Sequence, residues 1–230
     1  MSVRREPRVA NLSLLRVARL AALVGVLGSG GAHGDAAGAG DADAGARWYT
    51  VCGACHGARG EGIAALSTPR LSGMPVSYLV EQLDAFRSGR RGAGPDDEYG
   101  RQMISMAAIL PDVTAFADVA AYIRTFPVIV GSPTPSGGNA EQGRQLYQPC
   151  ATCHGVRAQG IALQGTPPLA GQDATYLVRQ LQAFKSRVRG GPRDGAAAQT
   201  MAAAAALLAK PGSDSKVAAY IASLPINPVQ

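Results

Sequence analysis

The strongest constraint on this chain is that most of it is one sequence written twice. Sliding it by 98 residues lays positions 45–127 over 143–225 without a gap, and 35 of the 83 aligned pairs are identical. That is too many for the chance recurrence of a short motif. It means two copies of one unit of ~90 residues, each the size of a small domain. Gly131-Ser132-Pro133-Thr134-Pro135-Ser136-Gly137-Gly138-Asn139 between them has the composition of an exposed linker. The expected layout is a first domain over 45–130, a linker over 131–139 and a second domain over 140–230. Residues 35–44 (DAAGAGDADA) read as a flexible segment ahead of the first.

Each copy reads as helical, so the predicted fold class is all-α. Gly45 and Tyr49 recur as Gly143 and Tyr147, an i,i+4 pair on one helical face. Ser77 to Phe86 has apolar residues at helical spacing, with Ser77 as the N-cap candidate, and Thr175 to Phe184 repeats it. Val119-Ala120-Ala121-Tyr122-Ile123 recurs as Val217-Ala218-Ala219-Tyr220-Ile221, and proline follows both, at 127 and 225. No alternating period-2 stretch is shared by the copies, which argues against a sheet.

The first 34 residues read as a secretory signal peptide. Arg4, Arg5, Arg8, Arg16 and Arg19 form a basic head, Leu20 to Leu27 a short apolar core, and Ala32-His33-Gly34 a small-x-small cleavage site. An uncleaved anchor is the alternative, but the apolar run is far shorter than the ~20 residues a spanning helix needs. The expectation is an exported protein of the periplasm. The leader holds five of the 22 basic and one of the 16 acidic residues, so the remaining chain is close to neutral at +2. The basic balance is a targeting feature and gives no support to nucleic-acid binding.

Cys52-Gly53-Ala54-Cys55-His56 and Cys150-Ala151-Thr152-Cys153-His154 occupy equivalent positions. CxxCH is the attachment pattern of a c-type haem. One helical turn sets both sulfurs to bond the vinyl groups, and the next residue, His56 or His154, reaches the iron. The alternatives fit less well. A thioredoxin-like CxxC needs a βαβ setting, zinc needs a fourth ligand near each cluster, and a disulfide inside CxxC leaves the repeated histidine unexplained. Two covalently attached haem groups are the expected cofactors, tethered through Cys52, Cys55, Cys150 and Cys153.

The sixth iron ligand follows by elimination. The only other histidine is His33, at the leader boundary, and all four cysteines are used. Methionine remains. The second copy contains only Met201; the first contains Met74, Met103 and Met106, and only Met103 aligns with Met201. Each lies 47 residues after its histidine and precedes Ala-Ala-x-Leu. Core packing is the plain alternative for a methionine. Two at one repeat position favour ligation, which raises the reduction potential and leaves the iron no open position.

A supporting shell is also legible. Thr68-Pro69-x-Leu71 recurs as Thr166-Pro167-x-Leu169, with each first proline thirteen residues after its histidine. The carbonyl of Pro69 or Pro167 is the candidate acceptor for the second ring N–H of the histidine; an ordinary turn proline is the alternative. Arg91 and Arg189, with Gln82/Gln180 and Tyr78/Tyr176, are candidate donors to haem propionates, against the plainer reading of solvated surface side chains.

Together these elements resemble the dihaem cytochrome c4 family: two tandem class I cytochrome c units behind a signal peptide. The resemblance covers about residues 45–225 and rests on both CxxCH motifs, on Tyr78-Leu79-x-x-Gln82 and Tyr176-Leu177-x-x-Gln180, and on Met103 and Met201. It implies an electron carrier and no enzyme of its own. It implies redox proteins as donor and acceptor, a membrane terminal oxidase among them, with peripheral membrane association. It also implies haem propionates close to the interface of the two domains. A cytochrome subunit of a periplasmic dehydrogenase is the alternative, with a dihaem peroxidase or thiosulfate-oxidising enzyme behind it; the latter needs an open iron that the paired methionines argue against. The second copy departs from the family at Lys210-Pro211-Gly212-Ser213-Asp214 and at Arg187, where the first has Gly89.

Aromatic residues make up only 5% of the chain, so each small unit has little side-chain area to bury and the macrocycle supplies much of its core. A variant with all four cysteines replaced is therefore expected to lose its cooperative helical melt in far-UV circular dichroism. A native-like melt of that variant would contradict the argument.

Overall fold

The structure is a computed structural model that describes residues 40–129 and 137–226. The predicted signal peptide lies outside the described residues. Among the described residues there is no β-strand, only one isolated bridge between Ile161 and Thr166, and no single helix is long and apolar enough to cross a bilayer.

The first copy contains α1 (Ala42–His56), α2 (Val76–Arg87), α3 (Glu98–Ala108) and α4 (Val113–Arg124). The second contains α5 (Ala140–Leu146), α6 (Gln148–His154), α7 (Ala174–Lys185), α8 (Ala196–Ala205) and α9 (Ser213–Ser223). In each copy the first helix crosses the last, the helix after the CxxCH loop packs on that last helix, and the methionine-bearing helix packs on it in turn. The helices α5 and α6 are α1 cut in two. Pro149 stands where the first copy has Val51, and a proline lacks the N–H that would continue the ladder. Cys150 and Ala151 instead donate to the Tyr147 carbonyl.

The crossing explains the repeated Gly-x-x-x-Tyr. A Cβ on Gly45 would sit 2.0 Å from the Asp118 carbonyl oxygen, and one on Gly143 1.9 Å from that of Lys216. Only glycine lets the two backbones approach so closely. One turn later Tyr49 packs edge-on against Tyr122 and Phe126, and Tyr147 packs against Tyr220. Both phenols reach through to the loop beyond the CxxCH histidine, donating to the Gly57 and Gly155 carbonyls at 2.8 Å.

Three expectations need correction. Residues 40–44 are part of the folded unit as the first helix and its cap: Asp41 caps α1 by accepting from the N–H groups of Asp43 and Ala44, and its own N–H donates to the buried Asp118 carboxylate at 2.7 Å. A side-chain cap is invisible in a segment so rich in Gly, Ala and Asp; residues 35–39 lie outside the described residues. The linker ends early for the same reason, since Asn139 caps α5 through the Gln142 N–H, and only 131–136 remain outside the described residues. Ser77 is not an N-cap. The α2 helix begins at Val76, with Pro75 at the cap position and no side-chain bond there, whereas Asp173 caps α7 through the Tyr176 N–H.

The departures in the second copy are local exchanges. Phe116 stacks under the Arg87 guanidinium; the aligned pair is Asp214 and Lys185, joined by a 3.1 Å ion pair. Arg187 takes the left-handed conformation, φ 61°, that Gly89 adopts in the first copy. The hand of the turn is kept, and the second copy accepts the cost of a side chain there.

Gly45→Ala is expected to destabilise the holoprotein by about 3 kcal/mol, because the new methyl meets backbone and not a side chain that can swing away. Gly53→Ala, also inside α1, meets nothing closer than a ring atom of Tyr49 at 3.4 Å; it is expected to be neutral or to stabilise by about 0.5–1 kcal/mol. Denaturant unfolding of the two variants checks the contrast.

Candidate haem sites

Each site begins at the end of a helix. Cys52, Cys55 and His56 lie in the last turn and a half of α1, and Cys150, Cys153 and His154 in α6. The cysteines are free of disulfides; Cys52 and Cys150 are half-buried, Cys55 and Cys153 exposed. Burial pushes the Cys52 thiol up to about 11. Glycine ends both helices in a positive-φ conformation, Gly57 at 84° and Gly155 at 78°, which turns the chain back across the histidine.

The returning loop is closed by a side chain to which the sequence reading assigned no role. Thr68 Oγ1 donates to the Cys55 carbonyl and accepts from the Ile63 N–H at 3.0 Å. Thr166 does the same with Cys153 and Ile161. The signal was present, since this threonine is identical in both copies. Closing the loop brings Pro69 to His56 and Pro167 to His154: each ring Nδ1 lies 3.0 Å from the proline carbonyl oxygen. Burial pushes both imidazoles below the usual histidine pKa, with the carbonyl acting in the opposite direction. A neutral ring that donates Nδ1–H to a carbonyl carries its lone pair on Nε2, the form a metal ligand needs.

The methionines occupy equivalent places. Met103 is half-buried on α3, packed beside α2, and Met201 is half-buried on α8, packed beside α7. Met74 is accounted for differently, as a buried member of the first apolar core.

Arg91 and Arg189 are not solvated surface side chains. Each stacks on a phenylalanine of its own copy, Arg91 over Phe86 at 4.3 Å and Arg189 over Phe184 at 4.4 Å. Each also reaches across to the other copy. Arg91 donates to Gln82 and, at 3.0 Å, to Gln180. Arg189 donates to Gln180 and, at 2.9 Å, to Gln82, with the Tyr78 hydroxyl at 3.4 Å. The sequence pairing thus becomes one reciprocal network across the interface. A second contact, without a counterpart by symmetry, joins Arg70 to Gln172; it gave no repeat signal because the aligned residues are Pro168 and Met74.

The network tests whether haem fits. Two guanidinium groups lie side by side with no carboxylate at ion-pair distance among the described residues. Burial and the Arg189 charge push Arg91 below its usual value. Burial raises the Tyr78 phenol, but Arg189 and Arg91 outweigh it and the net direction is downward. Two like charges drawn together, one buried and one half-buried, need anionic partners, and the carboxylates of two haem groups supply that charge class. No three His, Cys, Asp or Glu side chains converge as a bare metal site among the described residues. The histidines, cysteines and arginines all fit two haem groups, one per copy, each of which supplies one reversible electron.

The cytochrome c family profile matches the chain twice, at residues 42–127 and 140–225. Cytochrome c4 of Azotobacter vinelandii is 33% identical over 193 residues, covering 79% of this chain and 90% of that protein. The thiosulfate dehydrogenase electron acceptor of Thiomonas intermedia is 34% identical over 185 residues, 73% of this chain and 82% of its own length. Among solved structures, reduced recombinant cytochrome c4 from Pseudomonas stutzeri superposes with a TM-score of 0.64 at 30% identity, over 81% of this chain and all of that one. With two copies of the fold, two covalent haem c groups and relatives of this kind, the chain belongs to the cytochrome c family, as a dihaem electron carrier of the cytochrome c4 type.

Proposed function

We propose that this electron carrier works by outer-sphere transfer at two irons that are each closed by a histidine and a methionine. In this reading His56 with Met103, and His154 with Met201, are the ligand pairs, and Cys52, Cys55, Cys150 and Cys153 hold the thioether bonds. The Pro69 and Pro167 carbonyls orient the rings. Arg91 and Arg189, with Gln82, Gln180 and Tyr78, hold the propionates at the interface. The observation that carries it is the duplication: two 3.0 Å ring-to-carbonyl bonds and two methionines at one position of equivalent helices. A closed iron exchanges electrons and binds no substrate, so the function is carriage of up to two electrons. The first domain opens at the Asp41 cap and the second at the Asn139 cap, and the basic, apolar leader supports export to the periplasm.

Single substitutions test the ligands. Met103→Ala and Met201→Ala are each expected to remove about half of the near-infrared methionine–iron band of the oxidised protein and to let one of two ferrous haems bind carbon monoxide. An unchanged band in either variant would refute that ligand assignment.

The partner reading has two forms. One is a soluble shuttle toward a membrane terminal oxidase. The other is the electron-accepting partner of a dehydrogenase, supported by likeness to the Thiomonas intermedia protein named for that role. Charge bears on both, because residues 35–130 carry a net −3 and residues 131–230 a net +5. Such a dipole orients the carrier toward oppositely charged partners. Electron exchange with a physiological partner is expected to slow by roughly tenfold between low and high salt; stopped-flow rates independent of ionic strength would count against docking by charge. The mass of the native assembly separates a free shuttle from a bound subunit.

A further inference from the structure

The two sites differ at one peptide group. In the first copy the carbonyl facing His56 belongs to the Pro69–Arg70 peptide, and the N–H of that same peptide donates to Gln172 Oε1 at 2.8 Å. Gln172 comes from the other copy. Its Nε2 donates to the Arg70 carbonyl at 3.0 Å, so the amide pairs with both backbone groups of Arg70 and its orientation is fixed by them. Gln172 is 5% exposed and Arg70 3% exposed, so water does not compete. The Arg70 guanidinium clamps the arrangement by donating to the Gly171 and Ala170 carbonyls at 3.1 and 2.9 Å, and to Ser72. In the second copy the carbonyl facing His154 belongs to Pro167–Pro168. That peptide has no N–H, and no such chain can form.

Hydrogen bonds in series polarise one another. Donation from the Arg70 N–H draws electron density through the amide onto the Pro69 oxygen and makes it the stronger acceptor. A stronger acceptor gives the ring more imidazolate character, which favours ferric iron. We propose that Gln172 is a positioning residue of the second domain that strengthens the His56–Pro69 hydrogen bond and thereby lowers the reduction potential of the first haem only. The two haems then differ through a contact that exists only while the domains are packed together. This rests on the reading of His56 as an iron ligand.

The test is Gln172→Met, which installs the residue the first copy carries at the aligned position, Met74, compared with Arg70→Met in the full dihaem protein. Hyperfine-shifted haem methyl signals, assigned to each domain and followed through a redox titration, report each midpoint separately. In Gln172→Met the ferrous-to-ferric ratio of the first haem at fixed potential is expected to rise about threefold, ~28 mV at 59 mV per tenfold for one electron, with the second haem unmoved. In the reduced protein the His56 Nδ1 proton moves upfield and that of His154 stays. Arg70→Met keeps the backbone N–H and carbonyl that pair with Gln172 but removes a cation, which favours ferric iron, so its shift has the opposite sign. An unchanged first haem in Gln172→Met, an equal shift of both haems, or the same rise in Arg70→Met would overturn the proposal while leaving the dihaem reading intact. A single set of haem methyl signals in the unsubstituted protein would overturn both.

Discussion

The orientation of two buried imidazoles is the constraint around which each unit is organised. A histidine at the end of a helix swings freely unless its second nitrogen is held, and here a carbonyl 3.0 Å away holds it. Presenting that carbonyl requires the loop to return, which requires the glycine that reverses the chain and the threonine that ties the loop to the CxxCH helix. The tyrosine one turn earlier ties the same loop to the helix crossing. The crossing in turn depends on a glycine that no other residue can replace without moving backbone. The path from core to ligand is short and made of few side chains, which explains why so much of it is identical in the two copies.

The remaining core is modest. Alanines line much of the second copy's cluster and a smaller part of the first's, and few large side chains are fully buried. A unit of this size with so little aromatic area gains cohesion from a covalently tethered, flat, apolar group. The carboxylates of that group would find their counter-charge where two arginines from different copies meet. Those arginines are supported by glutamines and stacked phenylalanines, and among the described residues neither has a carboxylate at ion-pair distance, so the residues that pack the domains together are also the ones suited to hold the cofactor's carboxylates.

The copies are not equivalent. A phenylalanine under an arginine in one is an ion pair in the other, a continuous helix in one is broken by proline in the other, and Arg70 of the first reaches into the second with no reciprocal contact. Duplication sets the common chemistry, and single-residue divergence at the interface gives each site its own surroundings.

The sequence by itself determined the repeat, the helical class and the cofactor. These rest on local rules: an i,i+4 face, a CxxCH spacing and a shared methionine position all survive in one dimension. It also pointed to Pro69 and Pro167, because a repeated residue at a constant distance from the histidine leaves a trace. It missed the Asp41 and Asn139 caps, since a capping side chain looks like any polar residue in a loop, and it placed the α2 start at Ser77 because proline gives no cap signal. Only the tertiary structure decided what crosses between the domains. The glutamines and arginines of the network were visible as equivalent pairs but not as partners of one another. Arg70 and Gln172 were not visible at all, because a contact between non-equivalent residues about a hundred positions apart leaves neither periodicity nor repetition in the chain.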